Sequence, residues 1–387
     1  MTLKRNSKLF LVLFLGTLSA FGPFVTDLYL PALPTMSSYF NSSTSTIQLT
    51  LTGSMVGLAL GQLLIGPISD KYGRKNPLII SLIVYLISTI AIIIFPNVYA
   101  MIALRFIQGV SSAGAVVISR AISTDLYHGR ELAAFFALLM AVNGLAPILS
   151  PILGSLLLGI TDWRGIFVTL AIMGVILLAV SLKFHESLAV EKRLDVPITK
   201  TYYSLVYVVK NRLFFALVIV QGFALAAMFA YIAASPFILQ THYSLSPLMY
   251  SLCFGLNGFA IVLGSKSAGN FKEKVSIKLG LSLMLLVSIY LAVALTLTLP
   301  FLFIEVGFFL LLLGLGFILP AGSAIAMSLE RERAGSASAF FGFVPFFLGG
   351  VVSPLVGIGN IFHSSAIAIV ICSAISLITF KLVEKKI

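Results

Sequence analysis

The sequence predicts an all-α membrane protein with twelve transmembrane helices. Hydrophobic residues make up 59% of the 387 residues and charged residues only 10%, against about 25% charged residues in a soluble domain. The mean hydropathy of +1.09 agrees with this balance. Apolar runs of about eighteen residues or more recur along the chain, and each can cross a hydrocarbon core of about 30 Å as a helix. Their length and lack of strict alternation favour helices over the strands of a β-barrel.

Twelve spans account for these apolar runs, with short polar segments between them. The first run is too long for a signal peptide and has no small-residue cleavage site before Tyr39, so it is expected to remain as a spanning helix. The predicted spans lie near residues 9–36, 44–69, 77–95, 98–124, 131–158, 164–184, 211–239, 246–271, 276–297, 300–327, 335–358 and 361–382.

The positive charges are distributed asymmetrically between the two sides of this arrangement. Of the 25 Lys and Arg residues, 22 lie in the termini and loops of one side or at the span ends that adjoin them. Because cytoplasmic loops carry an excess of Lys and Arg, both termini are predicted to face the cytoplasm. The net charge of +12 is spread over seven short segments, which favours contact with membrane lipids and excludes a nucleic-acid partner.

The longest polar stretch divides the chain into two sets of six spans. We predict an N-terminal six-helix half over residues 1–184, a cytoplasmic linker over 185–210 and a C-terminal six-helix half over 211–387. Two equal halves suit a transporter that rocks about a site near the membrane midplane. The sequence has no nucleotide-binding P-loop, so we expect an ion gradient as energy source and no cofactor.

Asp27 interrupts the apolar run from Leu9 to Leu33. An acid at this depth costs several kcal/mol unless it is paired, hydrated or protonated. We predict that Asp27 binds and releases a proton during transport. The alternative is a fixed ion pair that ties the first helix to the fourth.

A second charge lies within the fourth span, at Arg105. Gln108, Gly109 and Ser112 follow it at spacings that place all four residues on one helix face. A guanidinium in a bilayer needs a partner or water. Three alternatives stay open: Arg105 extends to the outer surface, holds Asp27 in a static ion pair, or modulates the proton affinity of Asp27 during a cycle.

The loop between the second and third spans carries a recognisable pattern. The segment Gly66–Pro77 reads Gly-Pro-Ile-Ser-Asp-Lys-Tyr-Gly-Arg-Lys-Asn-Pro, and it resembles the loop signature of the major facilitator superfamily. Its glycines permit close helix approach and a tight turn, and its acid can cap a helix or form a salt bridge. We expect a cytoplasmic latch that comprises Gly66, Asp70, Gly73, Arg74, Arg120 and Asp125.

Two further segments resemble the same superfamily. Arg105–Gly109 is similar to its Arg-x-x-Gln-Gly pattern, which implies a buried arginine linked to proton transfer. Asn143–Ser155 in the fifth span resembles the signature of exporters, although Ala146 and Ser155 stand where the common form has glycine.

The segments Asp27–Pro34 and Trp163–Phe167, with the Ala-Pro and Ser-Pro pairs of the fifth span, resemble the Bcr/CflA subfamily of drug exporters. The resemblance implies a major facilitator fold with two pseudo-symmetric six-helix halves. It also implies proton-coupled antiport of small amphipathic compounds such as drugs by alternating access. Export of an endogenous metabolite or siderophore is the alternative, and proton-linked uptake is less favoured.

Polar and aromatic groups within spans are candidates for a central substrate cavity, although each can instead serve helix packing. They are Tyr29, Gln108, Asn143, Gln221, Met228, Tyr231 and Asn257.

Glu305, about five residues into the tenth span, is expected at the membrane interface, with a second protonation site as the alternative. The four histidines lack metal-ligand spacing and no catalytic triad can be placed at one depth, so neither a metal site nor an enzyme is expected.

Overall fold

The computed structural model describes residues 7–193, 207–330 and 333–386. Within these ranges the protein is helical without β-strands, and twelve segments are long and apolar enough to cross a membrane. The all-α fold class and the number of spans are therefore confirmed. Three parts of the sequence predictions lie outside the described residues: the basic residues Lys4 and Arg5, the middle of the linker at 194–206, and Arg331.

The described residues contain thirteen α-helices with both ends defined, and the first two together form the first span. They are α1 (Lys8–Asp27), α2 (Leu33–Tyr39), α3 (Thr44–Tyr72), α4 (Lys75–Ile94), α5 (Val98–Leu126), α6 (Gly129–Leu158), α7 (Trp163–Lys183), α8 (Arg212–Pro236), α9 (Pro247–Ala268), α10 (Glu273–Thr296), α11 (Phe301–Leu329), α12 (Ala334–Leu355) and α13 (Ile361–Val383).

The first span is broken, although its apolar run predicts one helix. After α1 the chain makes a 3₁₀ turn at Leu30–Ala32 before α2 begins. Pro31 has no N–H to donate and restricts the backbone of the residue before it, so the α-helix does not continue through it. Pro34 lies in the first turn of α2, where the missing N–H is not needed. The break leaves Asp27 as the last residue of α1.

The seventh span ends in a π-helix, Phe237–His242, which directly follows α8. Pro236 offers no N–H to the carbonyl of Ile232, and the wider π turn allows the helix to continue past this gap. The span therefore reaches three residues beyond its predicted end at 239. The other boundaries agree with the sequence prediction within a few residues.

The chain divides into two compact units. The first comprises Met1–Ala32 and Gly53–Tyr202, and the second comprises Leu33–Thr52 and Tyr203–Ile387. In the first unit α1 packs on α5 and α6, and α4 packs on α5 and α7. In the second unit α8 packs on α11 and α12, and α10 packs on α11 and α13. The same pairs of spans, six positions apart along the chain, therefore build the core of each unit.

The beginning of α3 belongs to the second unit because its side chains bond to carbonyls there. Thr52 Oγ1 donates to the carbonyl of Gly350 at 2.8 Å, and Ser45 Oγ donates to the carbonyl of Pro354 at 2.9 Å. Since Pro354 has no N–H, the carbonyl of Gly350 four residues earlier lacks its helical donor. The hydroxyl of Thr52 supplies that donor.

Glycines allow the helices to approach closely in both units. Gly53, Gly57 and Gly61 form a ladder along α3 that packs on the backbone of α5, and a Cβ at Gly57 would lie 2.9 Å from the backbone nitrogen of Val110. In the second unit a Cβ at Gly264 of α9 would lie 2.9 Å from Cα of Gly316 in α11. Small residues at such positions let helix backbones approach closely.

Gly57→Ala is expected to destabilise the protein, because the added methyl group meets backbone atoms that cannot rotate away. Overpacking of this kind costs about 1–3 kcal/mol. The midpoint of thermal unfolding, measured by size exclusion of the detergent-solubilised protein, should fall. Gly144→Ala in α6 is the matched control, because a Cβ there has no heavy atom within 4 Å outside its own helix neighbourhood. Equal midpoints for the two variants would contradict the proposed close packing.

Candidate functional site

Asp27 lies at the end of α1 with only 8% of its surface exposed. The hydroxyl of the preceding Thr26 donates back to the carbonyl of Gly22 at 3.2 Å. Within the described residues, no Lys, Arg or His lies within 4.0 Å of the Asp27 carboxylate. A negative charge is also disfavoured at the carbonyl end of a helix. Asp27 is thus a buried acid without a direct counter-ion.

Arg105 is fully buried in α5 and points toward α1. Its Nη1 donates to the carbonyl of Val25 at 3.0 Å and to Oε1 of Gln108 at 2.6 Å. The guanidinium lies over the ring of Tyr29, 4.3 Å from the ring centroid, and 5.7 Å from that of Phe167. The side chain therefore does not extend to a membrane surface. It is held by one carbonyl of α1, one amide and two aromatic faces.

The hydrogen bonds of Arg105 continue into α4. Nε2 of Gln108 donates to Oγ1 of Thr89 at 2.7 Å, and that hydroxyl donates to the carbonyl of Tyr85 at 2.7 Å. The ring of Tyr85 packs against Phe21 of α1 with centroids 4.6 Å apart. Gln108, a candidate cavity residue, thus lies in a closed network that joins α1, α4 and α5.

The remaining cavity candidates of the first unit have different surroundings. Tyr29 is fully buried beneath Arg105. Asn143 of α6 is partly exposed; its Nδ2 donates to the hydroxyl of Ser19 in α1 and to the carbonyl of Leu139 at 2.9 Å. Asn143 therefore links two helices and retains some accessible surface.

In the second unit, three polar residues from three helices meet. Nδ2 of Asn257 in α9 donates to Oε1 of Glu305 in α11 at 2.9 Å and to the hydroxyl of Tyr231 in α8 at 3.0 Å. Glu305 is 5% exposed, so the acid is buried between helices. The acid lies on the face of α11 that packs against α9, and position along the span alone does not reveal that face.

Two further candidates lie along α8. Gln221 is 5% exposed, and its Nε2 is 3.4 Å from the hydroxyl of Ser323 in α11. Met228 is partly exposed. They do not join the cluster of Tyr231 and Asn257.

Two acids of the predicted latch, Asp70 and Asp125, lie around Arg74. Nε and Nη2 of Arg74 donate to the two carboxylate oxygens of Asp125 at 2.8 and 3.2 Å. Nη1 donates to Asp70 and, at 2.9 Å, to the hydroxyl of Ser69. Burial lowers the pKa of Arg74, but the hydrogen bonds and charges of Asp125 and Asp70 outweigh burial and raise the pKa further above its ordinary value. The guanidinium stays charged at any physiological pH.

Arg120 lies apart from this cluster. It precedes Asp125 by five residues in α5, a rotation of about 140° around the helix axis beyond one full turn. Its side chain is exposed, and no ion pair of Arg120 occurs within the described residues. Helical phase therefore places Arg120 away from the cluster to which the sequence prediction assigned it.

Glu186 is a latch residue that the sequence prediction missed. Its Oε1 accepts from the backbone N–H of Arg74 at 2.9 Å, and its Oε2 accepts from that of Lys75 at 3.1 Å. The carboxylate thus caps the beginning of α4. Gly73 has φ +87°, and a Cβ there would meet Oε2 of Glu186 at 2.5 Å. Gly66 packs less tightly, since a Cβ there would lie 3.6 Å from Cγ1 of Val117. No local pattern reveals the cap, since Glu186 is more than a hundred residues away along the chain.

The model of the Major Facilitator Superfamily matches residues 9–354. The chain belongs to this superfamily. The uncharacterised transporter YdgK of Bacillus subtilis, described as MFS-type, is 36% identical over 92% of this chain and 90% of its own length. The bicyclomycin resistance protein homolog of Haemophilus influenzae is 28% identical over 70% of this chain and 69% of its own. The chloramphenicol resistance protein of Pseudomonas aeruginosa is 27% identical over 63% and 57%.

Solved structures of the major facilitator fold resemble the whole chain. A bacterial homologue of the human lysosomal transporter Spinster superimposes with a TM-score of 0.76 at 14% identity, with 98% of both chains covered. The xylose transporter XylE of Escherichia coli gives a TM-score of 0.72 at 14% identity over 97% of both chains. The fold and the family are those of a multi-pass bacterial inner-membrane transporter. The drug-resistance relatives agree with the resemblance to Bcr/CflA exporters.

Asp125→Asn is expected to destabilise this major facilitator protein more than Asp70→Asn does. The side chain of Asp125 is 11% exposed and that of Asp70 is 47% exposed. Loss of a buried partner costs about 3 kcal/mol, whereas an exposed ion pair contributes under about 1 kcal/mol. Thermal unfolding of the two purified variants would measure the difference. A larger loss in Asp70→Asn would show that Asp70, and not Asp125, is the main partner of Arg74.

Proposed function

We propose that this protein is a proton-coupled exporter that exchanges small amphipathic compounds for protons. The observation that supports it is the burial of Asp27 next to an arginine that is held by other groups, with no counter-ion within 4.0 Å among the residues that the structure describes. Desolvation and a nearby positive charge act on such an acid in opposite directions. Small movements of α1 relative to α5 can therefore load or unload the proton.

Arg105 connects the proton site to helix movement. Its guanidinium donates to the carbonyl of Val25, two residues before Asp27 in α1. Any shift of the end of α1 changes the distance between Asp27 and Arg105, or breaks this hydrogen bond. In the proposed cycle Asp27 takes up a proton from the outer side and releases it to the cytoplasm as substrate binds. Alternating access then needs only that the two conformations of the protein differ in their affinities for the proton and for the substrate.

The proposed substrates, partners and orientation follow from the family and the charges. Relatives named for resistance to bicyclomycin and chloramphenicol support export of drug-like compounds. The proton gradient supplies the energy without a cofactor, and the partners are the substrate, protons and membrane lipids around a monomer. The excess of Lys and Arg supports both termini on the cytoplasmic side. In this scheme Asn143 and Met228 keep accessible surface for substrate, and Tyr29 and Gln108 hold Arg105.

Asp27→Asn is expected to abolish uphill export, because the amide keeps the shape of the side chain but carries no exchangeable charge. Everted vesicles energised by respiration should lose substrate accumulation to the background of vesicles without the protein. Glu131→Gln is the control, since the side chain of Glu131 is 71% exposed. An Asp27→Asn protein that still accumulates substrate with the normal pH dependence would contradict the assignment of Asp27 as the proton-coupling residue.

Export of an endogenous metabolite or siderophore is the second candidate function, with uptake a less favoured third. The relative that is 36% identical has no substrate in its name, whereas the relatives named for drug resistance are 27–28% identical. Membership of the family therefore supports transport, whereas the identity of the transported compound is part of the proposal.

A deletion strain is expected to become more sensitive to drugs of the classes that its relatives resist. Minimum inhibitory concentrations should fall several-fold in rich medium, and the wild-type gene should restore them. A growth defect that appears only under iron limitation, with unchanged drug sensitivity, would favour the siderophore exporter and contradict the drug exporter.

A further inference from the structure

The second unit contains a buried acid that the proposed cycle of Asp27 does not use. Glu305 is 5% exposed and Asn257 is fully buried. Asn257 donates both of its amide hydrogen bonds, one to Oε1 of Glu305 and one to Tyr231. Among the described residues, neither Oε2 of Glu305 nor Oδ1 of Asn257 has a hydrogen-bond partner. One side of the carboxyl group is fixed, and the other has no donor.

No positively charged side chain contacts Glu305 in the part of the chain that the structure describes. The Cys253 thiol lies beside the carboxyl group, and α12 carries no titratable side chain. Among the described residues, the titratable groups at this end of α11 are Tyr231 from α8, His242 at the end of the π-helix, Tyr243 after it, Tyr250 and Cys253 from α9, and Tyr290 from α10.

This environment suits a neutral carboxylic acid better than a carboxylate. A buried charge costs several kcal/mol unless it is paired and hydrogen-bonded. The amide of Asn257 at Oε1 and the weak thiol donor of Cys253 do not replace the hydration that an ionised carboxylate loses on burial. A proton on Oε2 removes the charge and leaves Oε1 as the carbonyl oxygen that accepts from Asn257. The arrangement therefore has a defined place for one proton.

The position of Glu305 in the unit is also informative. The helix α11 packs on α8 and α10 as α5 packs on α1 and α4. The first unit places the cation Arg105 near the beginning of α5, and the second places an acid near the beginning of α11. Corresponding helices thus carry groups of opposite charge, so Glu305 is not a repeat of the Arg105 site.

We propose that Glu305, held by Asn257, is a second proton-binding site of this protein. Glu305 binds and releases its proton independently of Asp27. Each unit then has one buried acid that serves as a proton-binding site. The use of this second proton in transport rests on the proton-coupled export proposed above, whereas the binding of the proton does not.

Infrared difference spectroscopy of the purified full-length protein tests proton binding without transport. The Asp27→Asn protein is expected to show the carbonyl band of a protonated carboxyl group that disappears as the pH is raised. The band should be lost in Asp27→Asn/Glu305→Gln, whose amide keeps the acceptor for Asn257. Glu273→Gln in the same background is the control, because Glu273 is exposed at the beginning of α10.

A second variant tests the geometry. Asn257→Ala in the Asp27→Asn background should keep the band but move it to higher frequency, since the carbonyl then accepts one hydrogen bond fewer. A band that persists in Asp27→Asn/Glu305→Gln would overturn the proposal, as would the absence of any titrating band in Asp27→Asn. A band that Na⁺ removes at fixed pH would assign the site to sodium and overturn the proposal as well. Because vesicle export is measured separately, failure here is distinct from failure of the proposed export.

Discussion

The scarcity of hydrogen-bond partners in a bilayer is the constraint on which this structure depends. Lipid supplies no donors or acceptors, so each polar group inside a span must find its partner in the protein. Arg105 meets this requirement with the carbonyl of Val25, the amide of Gln108 and aromatic faces. These contacts fix α5 against α1. Asp27, two residues from that carbonyl, is the acid that this arrangement leaves without a direct counter-ion.

The two units meet the same constraint with different chemistry. In the first unit a cation organises the core network, and in the second an amide joins an acid to a phenol. The helix pairs correspond between the units, but the polar side chains do not. The backbone architecture is therefore repeated, whereas the buried polar chemistry is specific to each unit.

Hydropathy was sufficient to predict the spans, because burial in lipid imposes a uniform apolar composition over about twenty residues. The charged motif around Asp70 and Arg74 was equally predictable, since its residues are close in sequence. Glu186 was not, because a helix cap supplied from a distant segment has no local pattern. Arg120 was misplaced and the burial of Glu305 was not foreseen for one reason: position along a span gives depth, but which face packs inward depends on the neighbouring helix. The break after Asp27 follows from Pro31, although the apolar run conceals it.

The hydrogen bond between Thr52 and the carbonyl of Gly350 makes the residue at position 52 depend on the residue at position 354. The carbonyl accepts from Thr52 because Pro354 has removed its helical donor. If another residue replaced proline at 354, its backbone N–H would compete for this carbonyl. The hydroxyl at 52 would then no longer be needed as a donor. A change at 52 with proline retained would leave a buried carbonyl without a partner. Among relatives, a hydroxyl at the first position and proline at the second should therefore be gained and lost together.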